Sequence, residues 1–368
     1  MNFFRPKSGE TAPLERYINQ VWNGRQSVNP FGERPSTAEP VATLRKGRKN
    51  RIIYYIGSFN PPHVGHLALV DHVFSNTKAS LSGGDTSADD LNAVALIVIP
   101  HGQYWLERKA RRAAMEAEAA MYPRGRGRGK NRGHANRGAR TATPKNEKEA
   151  KELQLPLEQR LELVRDGVPD DLVRSGVWLF PADLGEWWNL HPRLIRACEA
   201  DGFDVEYIEL LGPDYVQRDM PRSSGMHGVV TSNVCRRADF VVDSPAPEGG
   251  GIGGDLLTLH GYTDWALVRG GGDVAKPGDE PTTQDQSQAG PPIAIDKNSK
   301  VFVCQGGKDL AYRIWFVQCD EPHLDPDISS TSLRRLIKDA DVEVLEETVQ
   351  NIAMSPAKLA KLVREMRK

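Results

Sequence analysis

One stretch of this chain constrains its architecture more than any other, residues 52–74. IIYYIG (52–57) is a short, apolar, β-rich run, the pattern of a strand buried on both faces. SFNPPHVGH (58–66) follows as a turn punctuated by Gly and Pro, and LALVDHVF (67–74) then carries apolar residues at helical spacing. Strand, turn and helix in immediate succession are the opening unit of an α/β sheet.

The same alternation recurs downstream. AVALIVIP (93–100) is a second buried strand, stopped by Pro100, and 103–121 reads as a helix. LPLEQRLELVRDGV (155–168) carries a helical stripe of Leu157, Leu161 and Val164, and VWLF (177–180) is a short strand or turn. EWWNLHPRLIRACEADG (186–202) is a helix with Gly202 as its stop, and DVEYIELLG (204–212) is a strong strand. RRADFVVD (236–243) and YRIWFVQC (312–319) read as two more strands, and 256–269 as a hairpin or an added strand. ISSTSLRRLIK (328–338) opens a helix, with further helical stretches at 341–352 and 356–367. The fold class is α/β, a Rossmann-like doubly wound parallel sheet with C-terminal helices.

Length and composition bound the organisation. The 368 residues allow about two domains, or one large domain with insertions. With 34 Gly, 25 Pro and only 39% hydrophobic residues, part of the chain is expected to be loop or disorder. Residues 1–48 read as a mostly loose arm with a short helix at Leu14–Val21, 49–340 as the main domain, and 341–368 as a helical extension. Disordered insertions are expected at about 122–150 and 270–299. No apolar run of about 18 residues exists, so no membrane span is expected. The N-terminus lacks the apolar core of a signal peptide. Four cysteines, at 198, 235, 304 and 319, form neither a CxxC pair nor a zinc spacing. A reducing compartment, cytoplasm or nucleus, fits them, as buried structural thiols.

A formal net charge of −1 excludes a uniformly basic coat. One tract departs from that balance. Residues 124–140 hold seven Lys/Arg and no acid, with Gly recurring too often for a stable helix. The tract is an expected flexible insertion, with RNA or another anionic surface as its candidate partner.

The chemistry lies in the first turn. At the carboxyl end of a strand, glycine lets the backbone approach a phosphate, and a helix N-terminus supplies unpaired N–H groups. His63 and His66, flanking Gly65, would lie near one face of the first helical turn. Imidazoles there can donate to phosphate oxygens, where charge develops during transfer at a nucleotide α-phosphate.

Gly57-Ser58-Phe59-Asn60-Pro61-Pro62-His63-Val64-Gly65-His66 resembles the (H/T)xGH signature of the nucleotidylyltransferase superfamily, especially nicotinamide mononucleotide adenylyltransferases. Ile328-Ser329-Ser330-Thr331-Ser332-Leu333-Arg334 resembles that family's second signature, ISSTxxR. Leu211-Gly212-Pro213-Asp214 is similar to its GxD, Arg160 to its arginine ahead of the third strand, and Ala238–Val242 to its later strand. The resemblance covers roughly 51–340, outside the two insertions.

The resemblance implies transfer of AMP from ATP to nicotinamide mononucleotide, forming NAD and releasing pyrophosphate. His63, His66 and Arg334 would be catalytic. Gly57, Ser58, Phe59, Gly65, Gly212, Asp214, Ser329, Ser330 and Thr331 would bind the nucleotide. Lys109, Trp187, Trp188 and Arg160 are substrate-side candidates, a tryptophan stacking on the pyridinium. Trp105 is another stacking candidate, and Arg111 another cation for the substrate phosphate. Asp183 and Glu186 read as surface residues rather than ribose or amide ligands. Mg²⁺ would arrive on the ATP phosphates, with no protein metal site. The HxGH form is like that of bacterial relatives, whereas the RG-rich tract is more typical of eukaryotes, so the acceptor is the less fixed part of this expectation. Rival readings are nucleotidyl transfer to another acceptor, cytidylyltransferase-like; ATP hydrolysis by a divergent relative; and a nucleotide-sensing RNA-binding protein.

Overall fold

The computed structural model describes residues 10–22, 29–33, 40–79, 89–121, 153–216, 226–242, 256–269, 299–306, 311–319 and 328–368. The basic tract 124–140, the insertion 122–150 and all but residue 299 of 270–299 lie outside them.

The chain begins with strand β1 (Thr11–Pro13), helix α1 (Leu14–Val21) and strand β2 (Thr43–Arg45), then enters the main sheet through β3 (Lys49–Gly57). Next come α2 (Val64–Thr77), β4 (Ala93–Pro100), α3 (Gln103–Met121), α4 (Leu157–Gly167), α5 (Asp170–Ser175) and β5 (Val177–Leu179). They are followed by α6 (Leu184–Ala200), β6 (Asp204–Leu210), β7 (Gly228–Ser232), β8 (Ala266–Arg269), β9 (Val301–Gly306) and β10 (Tyr312–Val317). Helices α7 (Ser330–Asp339), α8 (Leu345–Val349) and α9 (Pro356–Met366) complete the described chain.

Eight strands form one sheet in the order β5-β4-β3-β6-β7-β10-β9-β8. From β5 to β10 every pairing is parallel, while β9 and β8 add an antiparallel edge. The fold is therefore α/β with a mostly parallel, Rossmann-like sheet. The chain builds outward from β3 through β4 to β5, then returns to lay β6 on the other side of β3. That reversal opens a crevice above the carboxyl ends of β3 and β6, where sheets of this kind place their ligands.

Alternation along β3 divides the core. Ile53 and Tyr55 face α2, α4 and α5, packing with Leu69, Val73 and Phe74. Ile52 and Tyr54 face α1 and α6, packing with Trp178, Trp187 and Leu194. Buried on both faces, the strand reads as the continuous apolar run seen in the sequence. Helix α6 stops where Gly202 adopts φ +84°. The Gly202 N–H donates to Glu199 O at 2.9 Å and the Phe203 N–H to Cys198 O at 3.1 Å, a Schellman ending.

Three expectations need correction. Helix α1 spans Leu14–Val21 as read, but its surroundings are not loose: Leu14, Tyr17, Ile18, Ala42 and Leu44 are buried in the α6-side core. The Tyr17 hydroxyl donates to Asp201 at 2.7 Å, tying α1 to the end of α6. Residues 236–242 form no strand; an isolated bridge joins Val241 to Leu256, and Phe240 plugs a core against Phe316. The strand of this region is β7, eight residues earlier in its start. Finally, 341–368 is no appendage: α7, α8 and α9 share a core with Leu155 and Leu163. No helix among the described residues is long and apolar enough to cross a membrane.

Candidate active site

The turn after β3 is folded tightly upon itself. Phe59 takes φ +47°, a left-handed value few side chains adopt, and lays its buried ring over Gly57. A Cβ at position 57 would stand 2.7 Å from that ring, so glycine is required there. The expected role of Phe59 as a wall around a nucleotide does not fit its burial. Its ring lies edge-on to His66, with centroids 5.0 Å apart, and backs that imidazole instead.

His63 is the N-cap of α2, and His66 is its third residue. The His63 N–H donates to His66 Nδ1 at 3.1 Å, the reach-back of a capping box. An Nδ1 that accepts carries no hydrogen, so a neutral His66 holds its proton on Nε2. The two rings lie 3.6 Å apart, tilted by 32°. Gly65 makes this stacking feasible, since a Cβ there would sit 3.0 Å from His63 Nδ1. Burial lowers the His63 pKa to about 3, with the nearby Arg236 charge acting in the same direction. Burial, then the His63 charge, push His66 well below its ordinary value. Both imidazoles are neutral at physiological pH, and the Nδ1 of His63 is buried without a hydrogen-bond partner.

The distant serine-rich segment meets this turn. Ser329 caps α7, accepting from the Ser332 N–H at 3.1 Å, while the Ser329 N–H donates to Ser332 Oγ at 2.9 Å. The Ser330 hydroxyl donates to Pro61 O at 2.9 Å. Arg334 Nη1 donates to Asn60 O at 2.7 Å, and its Nη2 to Thr331 Oγ1 at 3.1 Å. Behind α7 the chain returns to the same place: the Val64 N–H donates to Ile352 O at 2.8 Å, and His63 bridges Ala353. The N-termini of α2 and α7, two concentrations of positive partial charge, are thereby fixed side by side.

Arg160 stiffens the floor. Wholly buried, it donates from Nε to Leu155 O at 3.1 Å and from Nη1 to Ser58 O at 2.7 Å. Its Nη2 is buried without a partner, and burial lowers its pKa to about 10. Asn60 clamps the same loop, donating to Leu153 O and accepting from the Leu155 N–H, each at 2.9 Å.

Gly212 and Asp214 stand after β6, across the crevice. A Cβ at Gly212 would meet Asp214 Oδ1 at 2.7 Å. Asp214 lies 3.8 Å from the guanidinium of Arg236, whose charge is felt at His63. In the sequence Arg236 is marked only by a basic pair just ahead of a short apolar run.

Beyond β4, the His101 N–H donates to Gly57 O at 2.8 Å, joining the two strand ends. His101 stacks on Trp105 with centroids 4.8 Å apart, and burial lowers its pKa to about 4. Lys109 is exposed on α3, and its charge reaches both His66 and His101. Arg111 lies on the outward side of that helix, away from the crevice. Asp183 caps α6, accepting from the Gly185 and Glu186 N–H groups at 2.9 and 3.1 Å.

Trp187 does not face a ligand. It is fully buried, edge-on to Tyr54 at 4.8 Å and to Phe180 at 5.2 Å. Trp188, its neighbour, is half-exposed and packs edge-on to His191. Among the described residues no group of three His, Cys, Asp or Glu side chains could hold a metal ion. No family model matches the chain, and no curated protein matches it.

Proposed function

We propose that this chain is a nucleotidylyltransferase of the HxGH type, transferring AMP from ATP to nicotinamide mononucleotide with release of pyrophosphate. The observation that carries the reading is the meeting of two signature segments. Ser330 and Arg334 hydrogen-bond to Pro61 and Asn60 at 2.9 and 2.7 Å, at the carboxyl edge of the first parallel strand.

In this reading the triphosphate lies across the paired N-termini of α2 and α7. Ser329, Ser330, Thr331 and Arg334 receive the β- and γ-phosphates, and Gly57, Ser58 and Gly65 line the approach. An oxygen of the acceptor phosphate attacks the α-phosphorus, and the bond to the bridging oxygen of the β-phosphate breaks. Negative charge builds on the non-bridging oxygens and on the departing pyrophosphate. His66, donating from Nε2, and His63 stabilise that charge by position. No side chain becomes covalently attached.

The divalent ion would enter as part of the MgATP substrate, carried on its phosphates. Lys109, Trp105 and Arg236 are the acceptor-side groups that this arrangement favours, with Trp187 withdrawn from that role. Asp214, paired with Arg236, holds the nucleotide edge.

The test offers purified chain and Mg²⁺ a panel of donor and acceptor pairs. ATP with nicotinamide mononucleotide is expected to give NAD and pyrophosphate in equal amounts. Turnover confined to CTP and a phospho-alcohol would overturn the acceptor, and inorganic phosphate from ATP alone would overturn the transfer reaction.

A further inference from the structure

Among the described side chains of helix α3, one narrow side is anchored and the others are open. Leu106 is buried, and Gln103 and Ala110 are partly covered, so these three mark the side turned to the body. On the opposite side, Tyr104, Arg108, Arg111 and Met115 follow the i, i+4, i+7, i+11 spacing of a single helical stripe. Tyr104 is 76% exposed and Met115 69%. Arg112 and Lys109, also exposed, flank the stripe, and Glu107 is the single acid between 103 and 112.

The open Tyr104 ring offers a flat face on which a partner can stack. The covering partner is constrained by charge. Residues 103–140 hold eleven Lys/Arg and three Glu. In a chain of net charge −1, the remainder is therefore acidic by nine charges. Four of these cations, Arg108, Lys109, Arg111 and Arg112, lie within five positions of α3 with no acid among them, a cluster that selects a polyanion. Cations alone suit any polyanion. Cations interleaved with an open aromatic face suit one with bases to stack.

We propose that the outward stripe of α3, Tyr104, Arg108 and Arg111, binds single-stranded nucleic acid, the tyrosine stacking on a base and the arginines holding flanking phosphates. The stripe lies opposite the buried Leu106, with Arg108 packed 5.9 Å over the Trp105 ring, and the inference does not rest on the reaction assigned to the crevice.

The test measures binding of the full chain to a labelled oligouridylate of about 16 nucleotides by anisotropy across a salt series. The triple variant Y104A/R108A/R111A is expected to bind about tenfold more weakly or worse, as loss of one stack and two ion contacts demands. Its slope of log affinity against log salt should flatten by about 1.4. Thermal melting and ATP binding, measured alongside, should match the parent chain. A chain lacking 124–140 should retain the same sensitivity to the triple substitution. Equal affinity for a duplex of the same charge would overturn the stacking argument. So would a triple variant that binds like the parent. Capture by phosphatidylserine vesicles with no binding to the oligonucleotide would assign the stripe to a membrane surface instead.

Discussion

Two histidines do different work at the same spot. His66 is an acceptor that closes the first turn of α2 and, in the proposed function, a donor through Nε2, so its removal has two separable effects. In His66→Ala, turnover should fall by about 10²–10³, and the lost cap should cost about 1 kcal/mol of stability. His66→Gln puts a capping-box residue at the third helical position and should recover the stability without the rate. Turnover that survives either change would remove His66 from the chemistry. The acid response follows from the same burial. His63, His101 and His191 have pKa values lowered to about 3, 4 and 4, and His66 is lowered as well. A histidine harder to protonate in the fold than in the open chain contributes its full stability above its ordinary value of 6.5. That contribution drains away as pH falls from there toward 3 or 4, because the unfolded chain takes up protons first. The melting temperature of the free chain should therefore drop steeply between about pH 6.5 and 4.5; a flat profile contradicts the burial. Trp187 marks where residue-level reading went astray. A tryptophan two positions into a helix next to a candidate site suggests a stacking platform, but only packing reveals which way it points. Trp187→Ala should destabilise by about 3–5 kcal/mol. Trp187→Phe, which also deletes an indole N–H buried without a partner, should leave the acceptor KM unchanged; a raised KM would return Trp187 to the site.

Elements were legible in proportion to how local their causes are. Strand β4 and the 52–57 part of β3 are buried on both faces and announce themselves as apolar runs, and β6 through the β-branched and aromatic residues set between its acids. The end of α6 announces itself through Gly202. Strand β7 does not, because GVVTS starts with a glycine and ends in two hydroxyls. That glycine is demanded by a neighbour 85 residues away: a Cβ at Gly228 would lie 2.4 Å from Arg313 O. Strand β9, an antiparallel partner added late, likewise takes its place from β10 rather than from its own pattern. The reverse error, reading DFVV as a strand, came from apolar residues that fill a core from a loop. The first turn of α2 offers the sharpest test at this scale. In Gly65→Ala the new methyl would press on His63 Nδ1 from 3.0 Å, against a ring held on its other side by His66. The expected result is a well-folded protein with the imidazole pair displaced, melting within a few degrees of the parent and turning over at least about tenfold more slowly. Full activity would show that the stacked arrangement is dispensable.

At the scale of the whole molecule, the sheet order explains why residues so far apart in sequence converge. The reversal between β3 and β6 opens the crevice, β10 delivers the chain to α7 beside it, and the last helices return Ile352 and Ala353 to the first turn. The sequence showed both the Gly/Pro turn after β3 and the serine-rich segment that opens α7, in that order. Their contact depends on the sheet that sets two strands between β3 and β10, which no local pattern encodes. The N-terminal segment around α1 was equally hidden, because its few apolar residues gain meaning only against α6. The central claim is that the joined segments act on the α-phosphorus of a nucleoside triphosphate. The most direct measurement supplies the chain with Mg²⁺, nicotinamide mononucleotide and ATP labelled in its α-phosphate, then locates the label. The expected result is label in a dinucleotide, one unlabelled pyrophosphate for each, and loss of both in the His66→Gln variant. Label recovered in ADP, with phosphate released, would contradict it.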